Sequence, residues 1–136
     1  MPFISEAVVE EALLAQLEGL GVATLSDSVA GPDGSAPERK ANGEVLLEDR
    51  LRAAITRLNP HIPEEARHDA LLAVQAAGSP NLVEENRRLH RFLCDGVPVE
   101  YYGEDGTIRG DAVRLLAFDD PAANDWLAIN QFAVVE

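Results

Sequence analysis

A chain of 136 residues, 46% of them apolar, suffices for one hydrophobic core and sits near the commonest size of a single domain. Its 24 acidic and 11 basic side chains leave a net charge of −13, which repels a phosphate backbone and argues against tight nucleic-acid binding by this chain alone. One cysteine excludes an internal disulfide, the three scattered histidines have no zinc-ligand spacing, and no apolar run approaches the roughly 20 residues that cross a bilayer, so a soluble, cytoplasmic protein in a reducing compartment is expected. The start, Met1-Pro2-Phe3-Ile4, has neither the basic region nor the cleavage site of a secretion signal.

Ser5 is the expected N-cap of a first helix, with Val9, Ala12, Leu13, Leu17 and Leu20 on one face and Gly21 at its end. At 100° per residue, Glu6 falls inside this apolar arc and Glu10 at its border. Two readings stand: Glu6 complements the helix dipole and reaches solvent, or both carboxylates help to hold a divalent cation. Residues 22–25 form a short strand, and 26–42, rich in Ser, Gly, Pro, Asp and charge, a long loop that is either mobile or held by a partner outside the sequence. The tip of that loop, Glu38-Arg39-Lys40, hints at a surface contact and carries the single lysine.

Leu47, Leu51, Ala54, Ile55 and Leu58 predict an amphipathic helix stopped by Asn59-Pro60. Pro63, at a first helical position, opens a third helix that ends at Gly78, and Ser79-Pro80 opens a fourth that runs to about Cys94. Leu82, Asn86, Leu89 and Leu93 share a face of this last helix, with Asn86 expected to bond a neighbouring loop and Cys94 to be a small buried hydrophobe. Arg87, Arg88 and Arg91 make either a local basic patch or a solvated face paired with Glu84 and Glu85. His61, His68 and His90 read as surface or interhelix residues.

Asp105-Gly106 supplies the two positive-φ positions of a type I′ turn, flanked by β-branched and aromatic residues at 99–104 and 107–109. Two further strands are expected at 112–118 and 126–135, parted by Asp119-Asp120-Pro121, with 132–135 buried. P-loop, dinucleotide-binding, Ser-nucleophile and His-Glu-x-x-His signatures are all absent.

Three stretches, in this order, resemble the amino terminus of the restriction (R) subunit of type I restriction–modification enzymes. They are Ser5-Glu6 with Glu10 ahead of 13–21; the segment Leu47-Glu-Asp-Arg-Leu-Arg-Ala-Ala-Ile-Thr-Arg-Leu-Asn-Pro60; and Gly96-Val-Pro-Val-Glu-Tyr through Asn130-Gln131-Phe132-Ala-Val-Val-Glu136. Asn86-Arg87 and His90 also look like that family. The resemblance implies part of a PD-(D/E)xK nuclease domain, followed in the intact subunit by an ATP-driven DNA-translocating motor. In the family, the strand matching 130–135 precedes an Arg-Pro-Asp segment and then Glu-x-Lys, whose carboxylates bind Mg²⁺. The catalytic residues are therefore expected beyond Glu136, and Glu6 and Glu10 are the metal-facing candidates within these residues.

The expected fold is α+β: an N-terminal helix and helical flank, about 5–95, packed on a mainly antiparallel sheet, about 97–136, as an incomplete restriction-endonuclease-like nuclease domain. Mg²⁺ and ATP are the cofactors implied for the parent subunit, with none bound to this chain. The implied partners are DNA and the methyltransferase and specificity subunits, and no DNA-contacting residue is assigned. The chain alone is expected to be inactive. The rival expectations are a non-catalytic acidic interaction module and, less favoured, an acidic DNA mimic.

Overall fold

The computed structural model describes residues 3–135, so what is expected of Met1, Pro2 and Glu136 lies outside the described residues. Helices and short strands combine in the α+β manner, but the strands form two separate pairs, one parallel and one antiparallel, in place of one mainly antiparallel sheet. The chain divides into two units, one that runs to Leu47 and resumes at Trp126, and a second that spans Glu48–Asp125.

In the first unit the opening helix is Glu6–Gly19 (α1), followed by the strand Ala23–Ser26 (β1) and one turn of helix, Asp27–Ala30 (α2). Gly21 takes φ +88°, the left-handed conformation that ends a helix without a Cβ penalty. No residue of α1 is fully buried, and its half-buried positions are Glu10, Leu14 and Leu17, so the inward face is rotated from the expected one and Val9 and Leu13 stay exposed. The last strand, Leu127–Asn130, pairs with β1 in parallel, with Ala23 opposite Leu127 and Ser26 opposite Asn130. Beyond it the expected strand does not continue: Gln131 turns into positive φ, and Val134 and Val135 are exposed.

The second unit holds the hydrophobic core. Its helices are Glu48–Leu58 (α3), Glu64–Gln75 (α4) and Leu82–Asp95 (α5), and its hairpin is Val97–Tyr102 (β2) with Ile108–Val113 (β3); the remaining strand, Leu127–Asn130, is β4. Ile55 of α3, Ala66, Ala70, Leu71 and Val74 of α4, and Val97, Val99 and Val113 of the hairpin close together, with Leu89 and Phe92 of α5 packed against them. Val97 and Val99 alternate with exposed Pro98 and Glu100, the period-2 pattern of a strand with one face on the core.

The hairpin turn is longer than expected. Among the described residues only Gly106 has positive φ there, at +76°; Asp105 does not, so the turn is not type I′. Gly106 donates to Gly103 O and Gly103 to Thr107 O, which is the three-residue loop closed by a left-handed glycine. Strand β3 runs on from the expected hairpin arm to Val113, and the separate strand expected at 112–118 does not form, because Asn59 captures the next residue, Arg114. The fully buried Asn59 donates to Ile55 O and Arg114 O and accepts from Arg114 N, each at 2.8 Å. Asn124 clamps Ala117 in the same two-pronged way, again at 2.8 Å. These side-chain amides satisfy backbone groups that a strand ladder would otherwise use, which makes 114–118 irregular. No helix among the described residues is long and apolar enough to cross a membrane.

Candidate functional site

The carboxylates expected to face a metal part company. Glu6 is exposed and makes no hydrogen bond or ion pair among the described residues, whereas Glu10 is half-buried and accepts a 2.9 Å hydrogen bond from the Gln131 side-chain amide. Gln131 follows the carboxyl end of β4 and has φ +57°, the left-handed region that non-glycine residues rarely enter. That turn lets its side chain reach back to α1. The Asn130-Gln131-Phe132 run therefore does three separate things: Asn130 closes the parallel pair opposite Ser26, Gln131 orients Glu10, and the Phe132 ring lies 3.9 Å from the Arg39 guanidinium carbon.

A carboxylate with one oxygen held by an amide can turn its second oxygen towards a cation, since orientation by a neighbouring donor is how ligand carboxylates are usually fixed. One such group is not a metal site. Mg²⁺ takes an octahedral oxygen shell, and no three acidic, histidine or cysteine side chains converge among the described residues. The residues present thus do not by themselves fit the ion, and Glu10 offers one amide-held carboxylate.

Beside it stands a residue that the sequence reading placed at a surface tip. Arg39 is 4% exposed, and its guanidinium donates to Asn42 O and Glu44 O at 3.2 Å, to both Asp27 oxygens at 3.0 and 3.3 Å, and to Ala133 O at 2.5 Å. Asp27 also accepts from Ala133 N at 3.3 Å. The 26–42 segment, expected to be mobile or held by an outside partner, is instead tied down from within and begins with the helical turn α2. A loop with almost no apolar content needs a polar anchor, and an arginine that can donate along several directions at once supplies it.

In the second unit, α5 packs through Glu85, Arg88, Leu89 and Phe92, so of the expected face of Leu82, Asn86, Leu89 and Leu93 only Leu89 turns inward. Leu82, Asn86 and Leu93 are exposed, and Asn86 makes no hydrogen bond among the described residues. Cys94 is exposed too, its Sγ 3.5 Å from His90 Nε2, so the expectation of a buried cysteine fails. The basic run splits between its two readings. Arg88 pairs with Glu85 and donates to Ala73 O at 2.8 Å and Ala76 O at 2.6 Å, the free carbonyls at the end of α4. Glu85 in turn accepts from Gly78 N and Ser79 N, at 3.0 and 3.2 Å. The hydrogen bond from Arg88 holds the Glu85 carboxyl below the ordinary glutamate range, against the opposing effect of burial, and Glu85 raises Arg88. This pair ends α4 at Gln75, short of Gly78, and Asn81 caps α5 by accepting from Val83 N and Glu84 N. Arg87 and Arg91, by contrast, have no hydrogen-bond or ion-pair partner among the described residues. The three histidines are exposed, and His61 lies 3.5 Å from Asp111.

An α+β chain whose terminal Asn-Gln-Phe turn is tied to its first helix has counterparts among known proteins. The family described as the type I restriction enzyme R protein N terminus matches residues 3–136, and the chain belongs to this family. It is 30% identical over 135 residues to the type I restriction enzyme HindI endonuclease subunit of Haemophilus influenzae, covering 96% of this chain and 12% of that protein. It is 28% identical over 127 residues to the "Putative type I restriction enzyme MjaIXP endonuclease subunit" of Methanocaldococcus jannaschii, covering 93% of this chain and 12% of that protein. The chain thus spans about an eighth of the length of these relatives. No solved structure matches it.

Proposed function

We propose that this chain is the amino-terminal part of a subunit that cleaves unmodified foreign DNA in the cytoplasm, with Mg²⁺ and ATP as cofactors and DNA, methyltransferase and specificity subunits as partners. The observation that carries this reading is the family match along residues 3–136, supported by two relatives named as endonuclease subunits. Within the chain, Glu10 is the residue assigned to the metal centre. It alone of the two candidate carboxylates is held in one orientation, by Gln131. Glu6, exposed and unrestrained, is assigned no such part. The remaining ligands, an Asp and a Glu-x-Lys in the resemblance, are outside these residues, so the isolated chain has scaffold without chemistry.

The acidity of the chain fits this division of labour, because a lobe that does not itself grip the phosphate backbone need not be basic. The test is a plasmid-cleavage assay. The full subunit, assembled with methyltransferase and specificity partners and given ATP and Mg²⁺, should linearise unmodified plasmid, and the isolated chain with Mg²⁺ should leave it supercoiled. Cleavage by the isolated chain would overturn the assignment of the chemistry to residues elsewhere.

A further inference from the structure

Two arginines without a partner among the described residues share a place. Of the ten arginines, eight donate to an acceptor or form an ion pair, and Arg87 and Arg91 do neither among the described residues. They lie one helical turn apart on α5, where side chains at i and i+4 are neighbours. Both line a groove of about 600 Å³ between α5 and the hairpin, with Phe92, Pro98 and Ala112 as its apolar side. Arg88, on the same wall, is already committed to Glu85 and the end of α4.

Along α5 the groove's charged residues follow the order Glu84, Arg87, Arg88, Arg91, Asp95: acid at each end and base in the middle, with Arg87 and Arg91 the uncommitted bases. At about 1.5 Å per residue the two acids stand roughly 16 Å apart along the helix axis. A nucleic-acid strand, with a charge roughly every 3.4 Å, would bring phosphates against both acids as well as both arginines, on a chain whose net charge of −13 already repels it. A protein segment with carboxylates at its centre and an apolar side chain beside them matches all three features. We propose that this groove docks such a segment of a partner protein, with Arg87 and Arg91 holding its carboxylates and the Phe92–Pro98–Ala112 wall taking its apolar side chain.

The experiment measures fluorescence anisotropy of a labelled peptide with two central Asp residues, a Leu beside them and uncharged ends, against the full chain, with a labelled DNA duplex as the second probe. The peptide should bind, and the double substitution Arg87→Glu, Arg91→Glu should weaken it by about tenfold or more, the range in which loss of a charge-assisted contact is read. Ala112→Trp, which fills the groove without altering charge, should weaken it similarly. Arg87→Lys with Arg91→Lys should retain most of the binding. All three variants leave Arg88 in place, and an unchanged circular dichroism melt establishes that each is folded. Absence of peptide binding, or peptide binding insensitive to both the charge reversal and Ala112→Trp, overturns the proposal. Tighter binding of the duplex than of the peptide, lost on the same charge reversal, also overturns it and makes the groove a polyanion site.

Discussion

Arg39 and Asn59 hold the two units in the same manner, each a buried polar side chain that gives backbone groups the partners that regular structure does not. Arg39→Ala removes donors from Asp27, Asn42, Glu44 and Ala133 at once and leaves the Asp27 carboxylate, itself mostly buried, without its cation. A loss of about 3–5 kcal/mol is expected from breaking such a buried pair. The chain's single tryptophan, Trp126, belongs to the same unit, so urea unfolding followed by its fluorescence should record the shift. Asn59→Ala empties a fully buried position and orphans the partly buried N–H and C=O of Arg114, which should cost about 3 kcal/mol, read by circular dichroism of the helices of the second unit. Gly96→Ala combines φ +83° with a Cβ 2.9 Å from Val113 O, and about 1–3 kcal/mol of destabilisation is expected in the same assay. Neither anchor was legible in the sequence as an anchor. Asn59 before Pro60 reads only as a helix stop, and Arg39 in a polar loop reads as surface, because burial of a polar group depends on partners such as Arg114 and Ala133 that lie 55 and 94 residues away.

At the scale of elements, the turn from α4 to α5 depends on the Glu85–Arg88 pair. Glu85 has its folded pKa below the ordinary value of about 4.3, so on acidification the unfolded chain takes up the proton first. Its stabilising contribution is complete above that ordinary value and is lost as pH falls through the depressed folded value. Melting temperature should therefore fall on acidification through this range, and Glu85→Gln should make the fall shallower. A slope remains in the variant, since Asp105, bonded by Thr107, and Asp119, bonded by Arg114, are lowered too. The four longer helices, α1, α3, α4 and α5, were legible from apolar spacing, with ends moved by a few residues, whereas the turn α2 fell in an expected loop. The inward faces of α1 and α5 were not legible. Each carries apolar side chains over a wide arc, so Val9 and Leu13 compete with Leu14 and Leu17 on α1, and Leu82 and Leu93 with Leu89 and Phe92 on α5. The choice between such arcs is made by tertiary partners, here Gln131 for α1 and the hairpin core for α5. The parallel pairing of β1 with β4 was equally hidden, because a crossover of this length leaves no local turn signal.

For the whole molecule, what the sequence conveyed best was kinship: the ordered stretches at 5–21, 47–60 and 96–136 resemble R subunits, and the family match spans them all. The structure ties the first of these stretches to the last, since Gln131 meets Glu10, 121 residues away. The proposed part of Glu10 in DNA cleavage rests on its orientation by Gln131. The most direct measurement is plasmid cleavage and ATP hydrolysis by the full subunit, assembled with its partners, carrying Glu10→Gln or, separately, Glu6→Gln. Cleavage should fall by about a hundredfold or more with Glu10→Gln, as for loss of a group that acts on the reacting centre, and change little with Glu6→Gln, while ATP hydrolysis stays at the unsubstituted level in both. Undiminished cleavage with Glu10→Gln would contradict the account and reduce the Glu10–Gln131 contact to a structural tie.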